Sequence, residues 1–269
     1  MNQGDYTVLG IYADEVTVGH YYFAFMLSTQ AMMLVTFNLG GVLTPVLARL
    51  QEHRAQQSDR FFEATGLIAL AGIPGCFGLA LVADPLIRLC FDDRYLPAIP
   101  YLQLLSIGMA FRMVGQNGSF LMQANGAWRN YFLLSITNAL VFVGVCLAGI
   151  KLAGPMGLAV AVTIFYTVFG VTQLAVSTAG RCDGRPRRIL GVYGVPLVAC
   201  VPGYAALAGA QAALGLPPWL ALPLLIVLGV LTTLATLRVV FPQRLEHLMT
   251  QIPVEKLWRR LRGGGKSAA

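Results

Sequence analysis

One positive charge lies deep inside a long apolar segment of this sequence. The segment runs from Ala98 to Gln123, and Arg112 is its one charged residue. A helix would place Arg112, Gln116, Ser119 and Gln123 on one polar face, because they recur at steps of four, three and four. A charge at mid-membrane is costly unless it faces a partner or a water-filled cavity. The pattern therefore predicts a functional group, with purely structural pairing to a neighbouring amide or carbonyl as the alternative.

The chemistry that fits this face is the binding of an anion and of hydroxyl groups. A guanidinium holds a phosphate or pyrophosphate through forked hydrogen bonds. Side-chain amides can bond sugar hydroxyls, or they can tie two helices together. The candidate substrate-binding residues are Arg112, Gln116, Asn117, Ser119 and Gln123.

No pattern typical of catalysis accompanies these residues. The sequence has no Walker loop and no Ser/His/Asp set, and its three histidines lie far apart. Its five cysteines have no paired spacing and fall mostly in apolar runs. We therefore expect no cofactor, no metal site and no enzyme activity. We also expect no acid among the residues embedded in the membrane.

The composition indicates an integral membrane protein. Hydrophobic residues make up 57% of the chain and charged residues 12%, about half the share that soluble domains carry. Apolar runs of helical length predict an all-α bundle of about seven transmembrane helices. We place them at Val18–Leu47, Ala64–Ala83, Ala98–Gln123, Tyr131–Leu152, Gly157–Ala179, Leu190–Leu214 and Trp219–Phe241.

The basic residues predict the orientation. Fifteen of the nineteen Lys and Arg residues fall on one side of the predicted bundle, which the positive-inside rule assigns to the cytoplasm. The net charge of +7 therefore reflects topology and not nucleic-acid binding. With seven spans the N-terminus is external and the C-terminus cytoplasmic. The tail, residues 244–269, has the spacing of a basic amphipathic helix that lies on anionic membrane lipids.

Five short strings stand out along the chain: VGHYYFA (Val18–Ala24), LTPVLAR (Leu43–Arg49), DPLIRL (Asp84–Leu89), QANGAWR (Gln123–Arg129) and GPMGLAVA (Gly154–Ala161). Their order and spacing over residues 5–180 resemble one family, the polysaccharide transporters, which include the O-antigen and oligosaccharide flippases of the MOP (multidrug/oligosaccharidyl-lipid/polysaccharide) exporter superfamily. One departure is Asp92, where the family usually has Gly in an external loop.

The resemblance implies one lobe of a two-lobed transporter. Residues 1–180 would supply most of the C-terminal lobe, residues 181–243 two additional transmembrane helices, and residues 244–269 the cytoplasmic tail. The N-terminal lobe is missing from the sequence, so we expect Met1 to be internal to a longer reading frame. The implied function is translocation of an undecaprenyl-pyrophosphate-linked oligosaccharide across the bacterial inner membrane by alternating access.

Three other functions remain open at this stage. A multidrug or cation antiporter of the same superfamily would need a buried acid for ion exchange, and none is evident. A membrane enzyme of polysaccharide assembly would need a large polar external loop, which the sequence lacks. A remnant that does not transport is the third, and the upstream DNA would identify it.

The predicted orientation can be tested by thiol labelling in intact cells. A cysteine placed within residues 183–186 should resist an impermeant thiol reagent, because that loop faces the cytoplasm. A cysteine next to Asp92 should react. The inverse pattern would contradict both the orientation and the number of spans.

Overall fold

The computed structural model describes residues 4–179, 185–214 and 217–240, and for residues 4, 6, 31, 34–42, 185, 214 and 240 it describes the backbone alone. All regular elements in these ranges are helical, which confirms the all-α prediction. A short 3-10 helix, Asp93–Ala98, precedes α4. The α-helices are α1 (Gly4–Tyr12), α2 (Glu15–Arg49), α3 (Arg54–Cys90), α4 (Ile99–Ala124), α5 (Trp128–Ser177), α6 (Arg185–Leu214) and α7 (Pro218–Val240).

A capped break separates α1 from α2. Asp14 has extended backbone angles, and its carboxylate accepts from the N–H of Thr17 at 3.2 Å and from the Thr17 hydroxyl at 2.7 Å. These bonds satisfy a free donor of the first turn of α2. They also lower the pKa of the Asp14 carboxyl, because they stabilise its charged form.

Helix α3 begins ten residues before Ala64, the first residue of the predicted span. The additional turns begin at Arg54 and are polar, so an apolar run does not mark them. They are nevertheless packed, since Phe61 and Phe62 are buried and the Gln57 amide donates to the Leu47 carbonyl at 2.8 Å. A long helix can therefore extend beyond its apolar segment when the side chains of the additional turns form contacts within the protein.

Helix α5 reverses direction at its middle, as the predicted turn near Gly154 requires. Ala153 and Gly154 have non-helical angles, and Gly154 has φ 61°, which glycine adopts without strain. A Cβ built on Gly149 would lie 2.5 Å from the Cβ of Ala161. In a straight helix these positions would be about 18 Å apart. Residues 128–152 and 155–177 are therefore two arms of a helical hairpin.

Helix α4 is the centre of the bundle and packs against α2, α3 and α5. Small residues bring its backbone close to the second arm of α5. A Cβ on Gly115 would lie 2.5 Å from the Cα of Gly170, and one on Gly108 would lie 3.1 Å from the Cα of Thr163. Both contacts join residues 55 positions apart, so α4 and this arm run parallel.

Five of the described helical segments are long and apolar enough to cross a membrane. They are Arg54–Cys90, Asp93–Ala124, Trp128–Ser177, Pro186–Ala213 and Pro218–Val239. The Trp128–Ser177 segment supplies two arms. The count of seven and the division of the chain into three parts stay predictions, and the predicted tail helix lies outside the described residues.

The close packing of α4 predicts a specific sensitivity to one methyl group. Gly115→Ala should destabilise the protein by about 1–3 kcal/mol, because the new Cβ would overlap the backbone of Gly170. The measurement is the midpoint of thermal unfolding in detergent. Gly144→Ala is the control: a Cβ there meets nothing within 4 Å, and alanine favours a helix. Equal midpoints for the two variants would contradict the packing.

Candidate functional site

A polar cavity of about 180 Å³ lies between α4 and the two arms of α5. Helix α4 contributes Arg112, Gln116 and Ser119, so three of the five sequence-predicted residues meet at one place. The arms of α5 add hydroxyl, amide and aromatic groups. These further lining residues are Tyr131, Leu134, Ser135, Asn138, Phe142, Phe165, Tyr166, Phe169 and Gln173.

Arg112 is held by Tyr166 in two ways. Its Nη1 donates to the Tyr166 hydroxyl at 3.1 Å, and its guanidinium carbon lies 4.7 Å from the centroid of the same ring. Tyr166 is itself buried, and its ring stacks on Phe142 at 5.9 Å with an interplanar angle of 8°. An aromatic face and a hydroxyl together give the cation a partner inside an apolar bundle.

A second polar contact lies two turns further along α4. Gln173 donates to the hydroxyl of Ser119, which is nearly buried. Arg112 with Tyr166 and Ser119 with Gln173 each join residues 54 positions apart. The same parallel register that brings Gly115 to Gly170 therefore sets both polar contacts.

One acceptor in the cavity has no protein partner within the part of the chain that the structure describes. It is the Oδ1 atom of Asn138, on the first arm of α5. Buried polar atoms are normally hydrogen-bonded, so an unsatisfied acceptor in a polar cavity is suited to a hydroxyl of a ligand or to water.

Two of the predicted residues do not line the cavity. Asn117 is fully buried, and its amide donates to the carbonyls of Met113 and Val114 of its own helix at 3.4 and 3.2 Å. Asn117 is the residue after Gln116, and each residue of a helix is rotated by about 100° from the one before it. The Asn117 side chain therefore points away from the cavity. Gln123 is half-buried and lies beyond the end of the cavity.

The sequence analysis missed the groups that α5 supplies. Asn138 and Gln173 could have been recognised from the sequence, since each is an amide residue within a predicted apolar span. Tyr166 could not have been recognised, because tyrosine is common within apolar runs. Tyr131, the first residue of the fourth predicted span, also lines the cavity.

The packed helices also bury an acid that the sequence analysis did not single out. Asp5 of α1 is 1% exposed and accepts from the hydroxyl of Tyr21 on α2 at 3.1 Å. Helix α1, which carries Asp5, packs against α5 and α2.

Comparison with known proteins supports the resemblance in the sequence. Residues 1–100 match the family model described as a polysaccharide biosynthesis protein. The "Uncharacterized membrane protein in cps region" of Klebsiella pneumoniae is 25% identical over 130 residues, 48% of this chain and 27% of that protein. "Lipopolysaccharide biosynthesis protein WzxC" of Escherichia coli is 24% identical over 139 residues, 52% of this chain and 28% of that protein.

A third relative is "Teichuronic acid biosynthesis protein TuaB" of Bacillus subtilis, 26% identical over 119 residues, 44% of this chain and 25% of that protein. The chain spans about a quarter of the length of these curated relatives. No solved structure matches it. The apolar helices and the similarity to a membrane protein together make it a multi-pass membrane protein, and its first 100 residues are similar to the polysaccharide biosynthesis proteins, the family that the sequence motifs resemble.

Proposed function

We propose that the chain is the C-terminal lobe of a flippase that moves an undecaprenyl-pyrophosphate-linked oligosaccharide across the bacterial inner membrane. The main support for the proposal is the position of Arg112 in the polar cavity, where amide and hydroxyl groups surround it. The printed names of the relatives agree with a role in polysaccharide assembly. The chain would act as a transporter and not as an enzyme.

The size of the cavity limits what it would hold. Its volume of about 180 Å³ corresponds to about six water molecules. One phosphate group or one sugar ring would fit, whereas a whole repeat unit would not. In this proposal Arg112 binds an anionic oxygen of the head group, and Asn138 and Gln116 bond nearby hydroxyls while the rest of the glycan stays outside the cavity.

Alternating access would need a second lobe. A single bundle has nothing to move against, and transporters of this kind rock two halves around a fixed site. We propose that the close contact of α4 with α5 makes this lobe one rigid body in that motion. The positive-inside rule further supports an external N-terminus and a cytoplasmic C-terminus.

The first test is export of surface polysaccharide by cells that depend on the complete transporter containing this chain. Arg112→Ala should lower export, because the loss of charge-assisted hydrogen bonds should lower the affinity for the substrate about tenfold or more. Arg112→Lys should keep part of the activity, since the charge remains without the fork. Tyr166→Phe should fall between wild type and Arg112→Ala, because the ring stays under the cation while the hydrogen bond is lost.

Arg129→Ala is the matched control, since Arg129 is an exposed cation outside the cavity. All variants are compared at equal protein level in the membrane. Normal export by Arg112→Ala would show that the residue is structural, and it would remove the basis of the proposal.

The buried Asp5 gives the antiporter of the same superfamily a specific observation in its favour. A carboxylate that binds and releases a cation would serve ion exchange. Asp5→Asn keeps the size of the side chain and removes its charge. If the chain were a drug antiporter, this variant should abolish proton- or sodium-driven efflux of a cationic dye. We expect the wild type and Asp5→Asn to accumulate the dye equally, and a difference would favour the antiporter.

A further inference from the structure

An apolar groove of about 580 Å³ runs between α3 and α7, away from the polar cavity. Its floor is the ring of Tyr204 from α6, which lies between Gly78 of α3 and Gly229 of α7. The Tyr204 hydroxyl is used within the protein, since it lies 3.3 Å from the Pro74 carbonyl and 3.4 Å from the Thr233 hydroxyl. The groove therefore offers a ligand an almost purely apolar surface.

A second cavity, of about 630 Å³, adjoins this groove, and both are lined by Leu81. Its lining includes four polar side chains among apolar ones, Asp84 and Arg88 from α3, Gln103 from α4 and Gln211 from α6. The apolar groove thus ends next to a polar pocket at one end of the bundle. This is the shape of a site for an amphiphile.

The dimensions match a membrane lipid. The groove follows α3 from Leu67 to Val82, about 22 Å along the helix axis. One leaflet of the hydrocarbon layer is about 15 Å thick, half of about 30 Å. An acyl chain of one leaflet would fit along the groove, with its head group at Asp84 and Arg88.

The charges of the pocket select the head group. Asp84 and Arg88 are the charged residues of its lining and form an ion pair at 2.9 Å, so their charges sum to zero. A head group with one phosphate and one ammonium complements such a pair, the phosphate at Arg88 and the ammonium at Asp84. An anionic head group would bring a second negative charge next to Asp84 without a cation to offset it.

The position of Gln103 separates this pocket from the substrate cavity. Gln103 and Arg112 are nine residues apart on α4, two and a half turns, and so they lie on opposite faces of that helix. The pocket and the polar cavity therefore do not share a face of α4.

We propose that α3, α6 and α7 bind a zwitterionic glycerophospholipid, phosphatidylethanolamine, with an acyl chain in the groove and the head group on the Asp84–Arg88 pair. The lipid would stabilise the packing of the α6–α7 pair on α3, since it contacts all three helices. This site is independent of the proposed transport function.

The test is native mass spectrometry of the full 269-residue chain, offered equal amounts of phosphatidylethanolamine, phosphatidylglycerol and undecaprenyl phosphate. We expect preferential retention of phosphatidylethanolamine and a rise in its unfolding temperature in detergent. Arg88→Gln and Asp84→Asn should each lower this retention about tenfold, since each removes a charge-assisted hydrogen bond.

Gly75→Leu tests the groove separately. Position 75 lines the groove and has nothing within 4 Å of a Cβ, so leucine would fill the groove without a clash. The Gly75→Leu variant should lower the retention of all three lipids, because each has a hydrocarbon tail. Gly144→Leu, also in open space but outside the groove, is its control.

Arg60→Gln is the control for the ion pair. Arg60 and Glu63 form an exposed pair at 3.0 Å near the other end of α3, so Arg60→Gln should leave lipid retention unchanged. Equal retention of phosphatidylglycerol or undecaprenyl phosphate would overturn the choice of head group. Retention unaffected by Arg88→Gln and Gly75→Leu would overturn the site.

Discussion

The close approach of two parallel helix backbones is the constraint on which the rest of this structure depends. Gly115 and Gly170 leave no room for a side chain between α4 and the second arm of α5. Once these backbones are in contact, the register of the two helices is fixed. Arg112 then meets Tyr166, and two turns later Ser119 meets Gln173. The glycines carry no functional group, yet they decide which polar side chains face each other.

The register also explains how a full charge is tolerated inside an apolar bundle. An isolated cation at this depth would be costly, and an aromatic ring with a hydroxyl offsets part of that cost. Asp5 is stabilised in the same way, since its carboxylate accepts a hydrogen bond from the Tyr21 hydroxyl. In both cases a tyrosine from a neighbouring helix provides the polar contact and buries its ring in the core. The two ionisable side chains therefore depend on the packing of the helices that carry those tyrosines.

The parts of the fold and of the site that could be predicted from the sequence are those that a single helix determines by itself. The polar face of α4 follows from helical spacing alone, and the turn at Gly154 follows from a glycine before a proline. The polar start of α3 could not be predicted, because Gln57 is satisfied by the carbonyl of Leu47, a contact that only the folded chain provides. Tyr166 and Asp5 could not be placed for the same reason. Asn117 was wrongly grouped with Gln116, since adjacent residues on a helix face different directions.

Helices α6 and α7 form a second region of the bundle, whose groove is more apolar than the cavity between α4 and α5. Helices α6 and α7 pack chiefly on α3 and on each other. Arg188 of α6 is tied to α3, where it donates to Asp59 at 2.7 Å and lies 5.5 Å from the ring of Phe62. Their grooves and exposed apolar faces suit lipid, whereas the polar cavity between α4 and α5 suits water and a head group. Charge separates the two regions further, because the pocket at Asp84 and Arg88 holds an ion pair whose charges sum to zero, whereas the polar cavity holds Arg112 beside the ring and hydroxyl of Tyr166. Under the proposed function, a ligand with net negative charge would bind next to Arg112 and would gain little from the pocket at Asp84 and Arg88.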